Sequence, residues 1–148
     1  SGGPLVNAEG QVIGVNSAIA TLGASDGGQS GSIGLGFAIP INNAKRIADE
    51  IISTGKSTVP IIGVQPNTNY QGTGAQVGKV EPGSPAAAAG IKEGDVITAV
   101  NGNKIAGPGE LLSAIRANQP GQPITLTITG PNGGASRDVT VTLGSRTE

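Results

Sequence analysis

The chain has 148 residues, enough for one domain, or for one domain and part of another. Nine basic and ten acidic residues give a net charge of −1 with no block of like charge, which argues against a nucleic-acid footprint; no apolar run nears the ~20 residues that span a bilayer. With no cysteine there are no disulfides, thiolate metal sites or cysteine nucleophiles, and with no histidine the commonest general base is missing.

One Phe, one Tyr and no Trp leave the core to Val, Ile, Leu and Ala. The 26 Gly and 10 Pro are spread singly between alternating apolar runs, so they read as punctuation of short strands in a folded, mainly β chain. Leu5-Val6 and Val12-Ile13-Gly14-Val15 flank Asn7-Ala8-Glu9-Gly10, which predicts a hairpin. Residues 23–32 are Gly, Ser, Asp and Gln, the composition of an exposed flexible loop. Ile33 to Ile39 is an apolar strand stopped by Pro40, and Asn42 or Asn43 then caps a helix to about Ser53 that Gly55 ends. On that helix Lys45 and Arg46 sit four residues before Asp49 and Glu50, a solvated face of i,i+4 pairs.

Lys56 to Pro60 reads as a short linker between two unlike halves, 1–55 and 61–145. The second half offers strands at Ile61–Gln65, Gly74–Val80, Asp95–Val100, Ile124–Thr129 and Val139–Leu143, the last two flanking the turn Pro131-Asn132-Gly133-Gly134. Two short helices fit at Ser84–Ala89 and Gly109–Ala117. Gly94-Asp95 reads as a structural turn, not as one half of a carboxylate pair with Glu93. A small β-barrel or sandwich capped by helices is the expected class. The glycines form no strand-to-helix phosphate fingerprint, so no nucleotide, metal or other cofactor is expected.

A Ser-Gly-Gly-Pro tetrapeptide alone is a turn of small residues. Here Ser1-Gly2-Gly3-Pro4-Leu5-Val6-Asn7 precedes Gly10-Gln11-Val12-Ile13-Gly14-Val15-Asn16-Ser17, and then Ile33-Gly34-Leu35-Gly36-Phe37-Ala38-Ile39-Pro40. Together these resemble the serine region, last barrel strand and closing helix of trypsin-like proteases, closely so the HtrA/Deg family. The resemblance implies the end of a chymotrypsin-like β-barrel with Ser1 as nucleophile. It further implies a substrate pocket of Ser17, Ile33, Gly34, Leu35, Gly36 and Phe37, apolar and without an Asp, hence a preference for small or medium apolar side chains. The loop 20–32 would be one of that family's mobile activation loops. The His and Asp of such a triad would lie upstream of Ser1, so this chain alone is expected to be inactive. Its first 55 residues would be mobile, swapped or aggregation-prone in isolation.

The run Val80-Glu81-Pro82-Gly83-Ser84-Pro85-Ala86, Ala88-Ala89-Gly90-Ile91-Lys92-Glu93-Gly94-Asp95-Val96-Ile97 and Val100-Asn101-Gly102, with Ile61-Ile62-Gly63-Val64 before it, resembles a PDZ domain of the permuted HtrA order. That resemblance implies β-augmentation by a peptide whose carboxylate sits on the loop Ile61, Ile62, Gly63, Val64, with Gly63 allowing close approach. Ile62 and Val64, with Leu112 and Ile115 of the second helix, would line the pocket for the last side chain. Alternatively, Leu112 and Ile115 are core residues and Leu111 and Ala114 face out.

The expected function is therefore part of an HtrA-like serine endopeptidase of protein quality control, its PDZ domain binding C-termini or unfolded chains. The resemblance also implies an extracytoplasmic, homotrimeric parent. A stand-alone peptide-binding module without catalysis is the rival reading, and a third pairs this chain with a separately supplied N-terminal piece.

Overall fold

A computed structural model describes residues 1–21, 32–131 and 133–147, which form two compact units, Ser1–Ser57 and Thr58–Glu148. The segment 22–31, where the flexible loop is expected, and Asn132 of the second turn lie outside the described residues.

In the first unit, β1 (Pro4–Val6), β2 (Val12–Thr21) and β3 (Ser32–Pro40) form an antiparallel sheet in the order β1-β2-β3. The β1–β2 turn is closed by Asn7, whose Oδ1 accepts the N–H groups of Glu9 (3.1 Å) and Gln11 (2.8 Å). The helix α1 (Ile41–Thr54) follows β3 directly. Pro40 holds its N-cap position without a side-chain hydrogen bond, so Asn42 and Asn43 fall inside the first turn and cap nothing. Gly55 ends the helix in the left-handed region, φ +74°, donating to the Ile51 carbonyl at 2.8 Å. Lys45 pairs with Asp49 and Arg46 with Glu50 along the helix.

This unit has no core of its own among the described residues. Nothing on α1 is buried, and Ile13, Ile19, Ile33, Leu35, Phe37, Ile39 and Ile52 are all exposed. An apolar surface of that extent is of the kind that marks an interaction face.

The second unit holds the buried core. Its strands are β4 (Thr58–Ile61), β5 (Val64–Pro66), β6 (Ala75–Val80), β7 (Val96–Val100), β8 (Asn103–Lys104), β9 (Pro123–Thr129), β10 (Arg137–Thr142) and β11 (Gly144–Thr147). One sheet runs β10-β9-β7-β6-β5 with β8 hanging on β7, while β4 and β11 pair as a separate ribbon. The sheet stays open, with β5 at one edge.

Alternation builds the core: Ile124, Leu126 and Ile128 of β9 point inward and are fully buried, the residues between them only half so. Val77, Ile97, Val100 and Val141 join them from neighbouring strands, and Ile91, Ile105 and Leu143 from loops. The short helix α2 (Pro85–Ala88) starts as its sequence dictates, with Pro85 in the first turn and Ser84 Oγ accepting the Ala87 N–H at 3.2 Å. The second helix of this unit, α3 (Pro108–Arg116), also opens on a proline, and Glu110 reaches back to the Ala106 N–H at 2.8 Å.

At the start of this unit two further features depart from the sequence expectation. The single strand expected at Ile61–Gln65 is two, β4 and β5, broken at Ile62-Gly63, where Gly63 takes the left-handed φ of +78°. And Thr58–Pro60, expected as part of the linker, belong to β4, which pairs with β11 in the register Thr58↔Thr147 to Ile61↔Gly144.

Candidate functional site

The break at Ile62-Gly63 shapes the site. The Ile62 carbonyl accepts the Ala86 N–H at 2.8 Å and the Gly63 carbonyl accepts the Glu81 N–H at 2.9 Å. No peptide bond among the described residues is cis, so the N–H of each of those planar units points opposite to its carbonyl. The N–H groups of Gly63 and Val64 therefore point away from α2 and β6. Two neighbouring amides directed in this way suit an anionic oxygen.

Beside them lies a cavity of about 360 Å³. Ile61, Ile62, Gly63, Val64 and Pro66 line one side and Pro108, Gly109, Leu111, Leu112 and Ile115 of α3 the other, with Pro60, Glu81 and Arg146 completing it. Apart from Glu81 and Arg146 the lining is apolar or glycine. Since β5 is the last strand of its sheet, paired with β6 on one side only (Val64↔Val80, Gln65↔Lys79), its other edge is available to a further strand. Pro66 has no N–H for such a ladder and ends it after Gln65.

The expected peptide-binding residues Ile61, Ile62, Gly63, Val64, Leu112 and Ile115 thus meet around one cavity. Ile62 and Ile115 serve twice, since both also belong to the core. Leu111 does not face out: it is 2% exposed, whereas Leu112 is 49% exposed. Residues four apart share a helix face, so Leu111 and Ile115 point inward together while Leu112 stands some 100° round. Glycine at 63 is also required within the chain, because a Cβ there would run into Ser84. Glu81, Arg146 and the flanking Pro60, Pro66, Pro108 and Gly109 were not among the residues expected here. For Leu111 the i,i+4 spacing to Ile115 was the available signal; for Arg146, brought in by β11, there was none.

In the first unit, Gly2 N–H donates to the Asn16 carbonyl at 2.7 Å and Asn16 N–H to the Gly3 carbonyl at 2.9 Å. This sets Ser1 beside β2, one step along from Asn16. Ser17 occupies a bulge between the pairs Asn16↔Ala38 and Ala18↔Phe37, so Phe37 lies across from it on β3. Ile33 to Phe37 continue along β3; Gly34 takes φ +84° and its N–H donates to Ser32 Oγ at 3.2 Å. The sequence holds no histidine, so nothing of the imidazole class faces Ser1 within this chain. No helix among the described residues is long and apolar enough to cross a membrane.

An open sheet edge beside a helix, with a glycine turn at the strand's start, defines a PDZ domain, and the family model for that domain matches residues 60–143. The chain belongs to the PDZ family. Along nearly its whole length it is also similar to HtrA-type serine proteases: it is 52% identical over 145 residues to serine protease PepD of Mycobacterium tuberculosis, covering 97% of this chain and 31% of that protein. It is 37% identical over 158 residues to the periplasmic pH-dependent serine endoprotease DegQ of Escherichia coli, covering 99% of this chain and 33% of that one. Among solved structures, the HtrA-type protease AlgW with decapeptide matches with a TM-score of 0.59 at 29% identity, over 99% of this chain and 46% of that one. The serine endoprotease from Yersinia pestis matches with a TM-score of 0.57 at 30% identity, over 99% and 47%. The chain thus spans about a third of the length of the relatives it matches.

Proposed function

We propose that this chain is the peptide-capturing part of an HtrA-like serine endopeptidase. Its groove binds the C-terminus of an exposed or unfolded chain as an added strand on β5, the terminal carboxylate on the Gly63 and Val64 N–H groups and the last side chain between β5 and α3. The supporting observation is the apolar cavity that meets an open strand edge and two outward amides at one place. Titrating the chain with a peptide ending in Val or Ala, followed by amide shifts, tests it. Perturbations at Ile62, Val64 and Ile115 are expected; a titration that leaves all three unmoved overturns the groove assignment.

In the complete protein Ser1 would attack a peptide carbonyl, with a histidine from elsewhere in the protein as base and its own N–H as one oxyanion donor. The apolar residues of β2, β3 and α1 would pack against the rest of that protease domain. Relatives named periplasmic support an extracytoplasmic site of action. Casein cleavage by the complete protein, abolished by Ser1→Ala, is the test; the 148-residue chain alone should not cleave casein, because it carries no histidine. A purely binding role is favoured instead if the complete protein leaves casein intact.

A further inference from the structure

The two charged side chains in the groove have opposite signs, and one of them lies at its anion-binding end. Glu81 donates its backbone N–H to the Gly63 carbonyl, and its Oε2 lies 3.6 Å from the position a Cβ on Gly63 would occupy. The carboxylate is solvent-exposed and belongs to the cavity lining. We propose that Glu81 makes this groove selective for peptide C-termini in which a basic residue immediately precedes an apolar last residue.

This inference rests on the peptide-binding reading above. A terminal carboxylate held by the Gly63 and Val64 amides brings a second negative charge beside Glu81. Like charges so close repel, even at a wet surface. A Lys or Arg next to them is attracted to both. The basic residue cannot be the last one, because Ile62, Leu111 and Ile115, all at most 5% exposed, wall the pocket with hydrocarbon and would strip a cation of water without a partner. In an added strand successive side chains alternate between faces, so the penultimate side chain leaves the apolar pocket for the wet side, from which a long Lys or Arg chain reaches the exposed Glu81 carboxylate. Arg146, the other charge of the lining, favours anionic ligands in general and does not create a preference for a neighbouring cation.

Three peptides with the same Val end and Lys, Ala or Glu before it are titrated against the wild-type chain. The Lys peptide should bind tightest and the Glu peptide weakest, with a Lys-to-Glu ratio on the order of fivefold, as for a solvent-exposed charge pair. The ratio should shrink at high ionic strength. In Glu81→Gln it should fall towards one, and in Glu81→Lys the order should invert. Equal binding of all three peptides by the wild type overturns the inference while leaving peptide capture intact, as does a ratio that survives in Glu81→Gln. If none of the three binds, the peptide-binding reading fails and this inference with it.

Discussion

Gly63 and Ser84 touch so closely that a Cβ on the glycine would stand 2.2 Å from the Cβ of the serine and 2.8 Å from its Oγ. Ser84 is the N-cap of α2 and is itself buried, so it cannot give way without loosening that helix. The glycine also has φ +78°. Gly63→Ala therefore combines a left-handed backbone with overpacking and should cost about 2–5 kcal/mol. Urea unfolding measures it; a loss under 1 kcal/mol would mean that the loop shifts freely and that its tight seat on α2 does not define the groove.

The centre of β9 gives a cleaner test of the core. Leu126 is fully buried, paired with Val139 on β10 and with Val100 on β7. Leu126→Ala should destabilise the second unit by about 2–5 kcal/mol through lost burial and a residual cavity. The denaturation midpoint should fall with little change in slope.

Much of this second unit could be read directly from its residues, because local rules and tertiary needs agree there. Ile124, Leu126 and Ile128 alternate as a half-buried strand must, and Ser84-Pro85 carries both helix-start signals. The misreadings have physical causes. Asn42 and Asn43 are good N-cap residues, but Pro40, extended at ψ 135°, hands β3 straight to α1 and leaves them already helical. The run Ile61–Gln65 is apolar enough for one strand, but the chain turns at Gly63, where the Ile62 and Gly63 carbonyls accept hydrogen bonds from Ala86 and Glu81. β11 is Gly-Ser-Arg-Thr, with no apolar alternation; it is a strand because Gly144 to Thr147 meet β4, a pairing more than eighty residues away along the chain. Arg146 reaches the groove by that long-range pairing, which no local pattern announces.

Asp95 and Arg137 tie two ends of the second unit together. The buried Asp95 accepts the Lys92 N–H at 3.0 Å and the Arg137 guanidinium at 2.9 Å, so it holds both the turn before β7 and the start of β10. Asp95→Ala leaves the Lys92 amide without its acceptor and should cost about 1–3 kcal/mol. Arg137 is half exposed, and Arg137→Ala should cost no more than about 1 kcal/mol. A double-mutant cycle between them should show coupling below the full cost of Asp95→Ala, because the backbone bond to Lys92 is independent of Arg137.

The neighbours on α3 separate binding from folding. Leu112 is 49% exposed and lines the cavity, whereas Ile115 is 5% exposed and serves both cavity and core. Leu112→Ala should cost only about 1 kcal/mol of stability, since half of its surface stays in water on folding. It should nonetheless weaken a Val-ended peptide several-fold, because that surface is what the ligand would cover. Ile115→Ala should reduce both, with a stability loss of about 2–4 kcal/mol. Peptide titration and urea unfolding on the same two variants decide the matter. If Leu112→Ala binds like wild type while Ile115→Ala unfolds, the helix contributes to the core alone and the peptide must lie elsewhere.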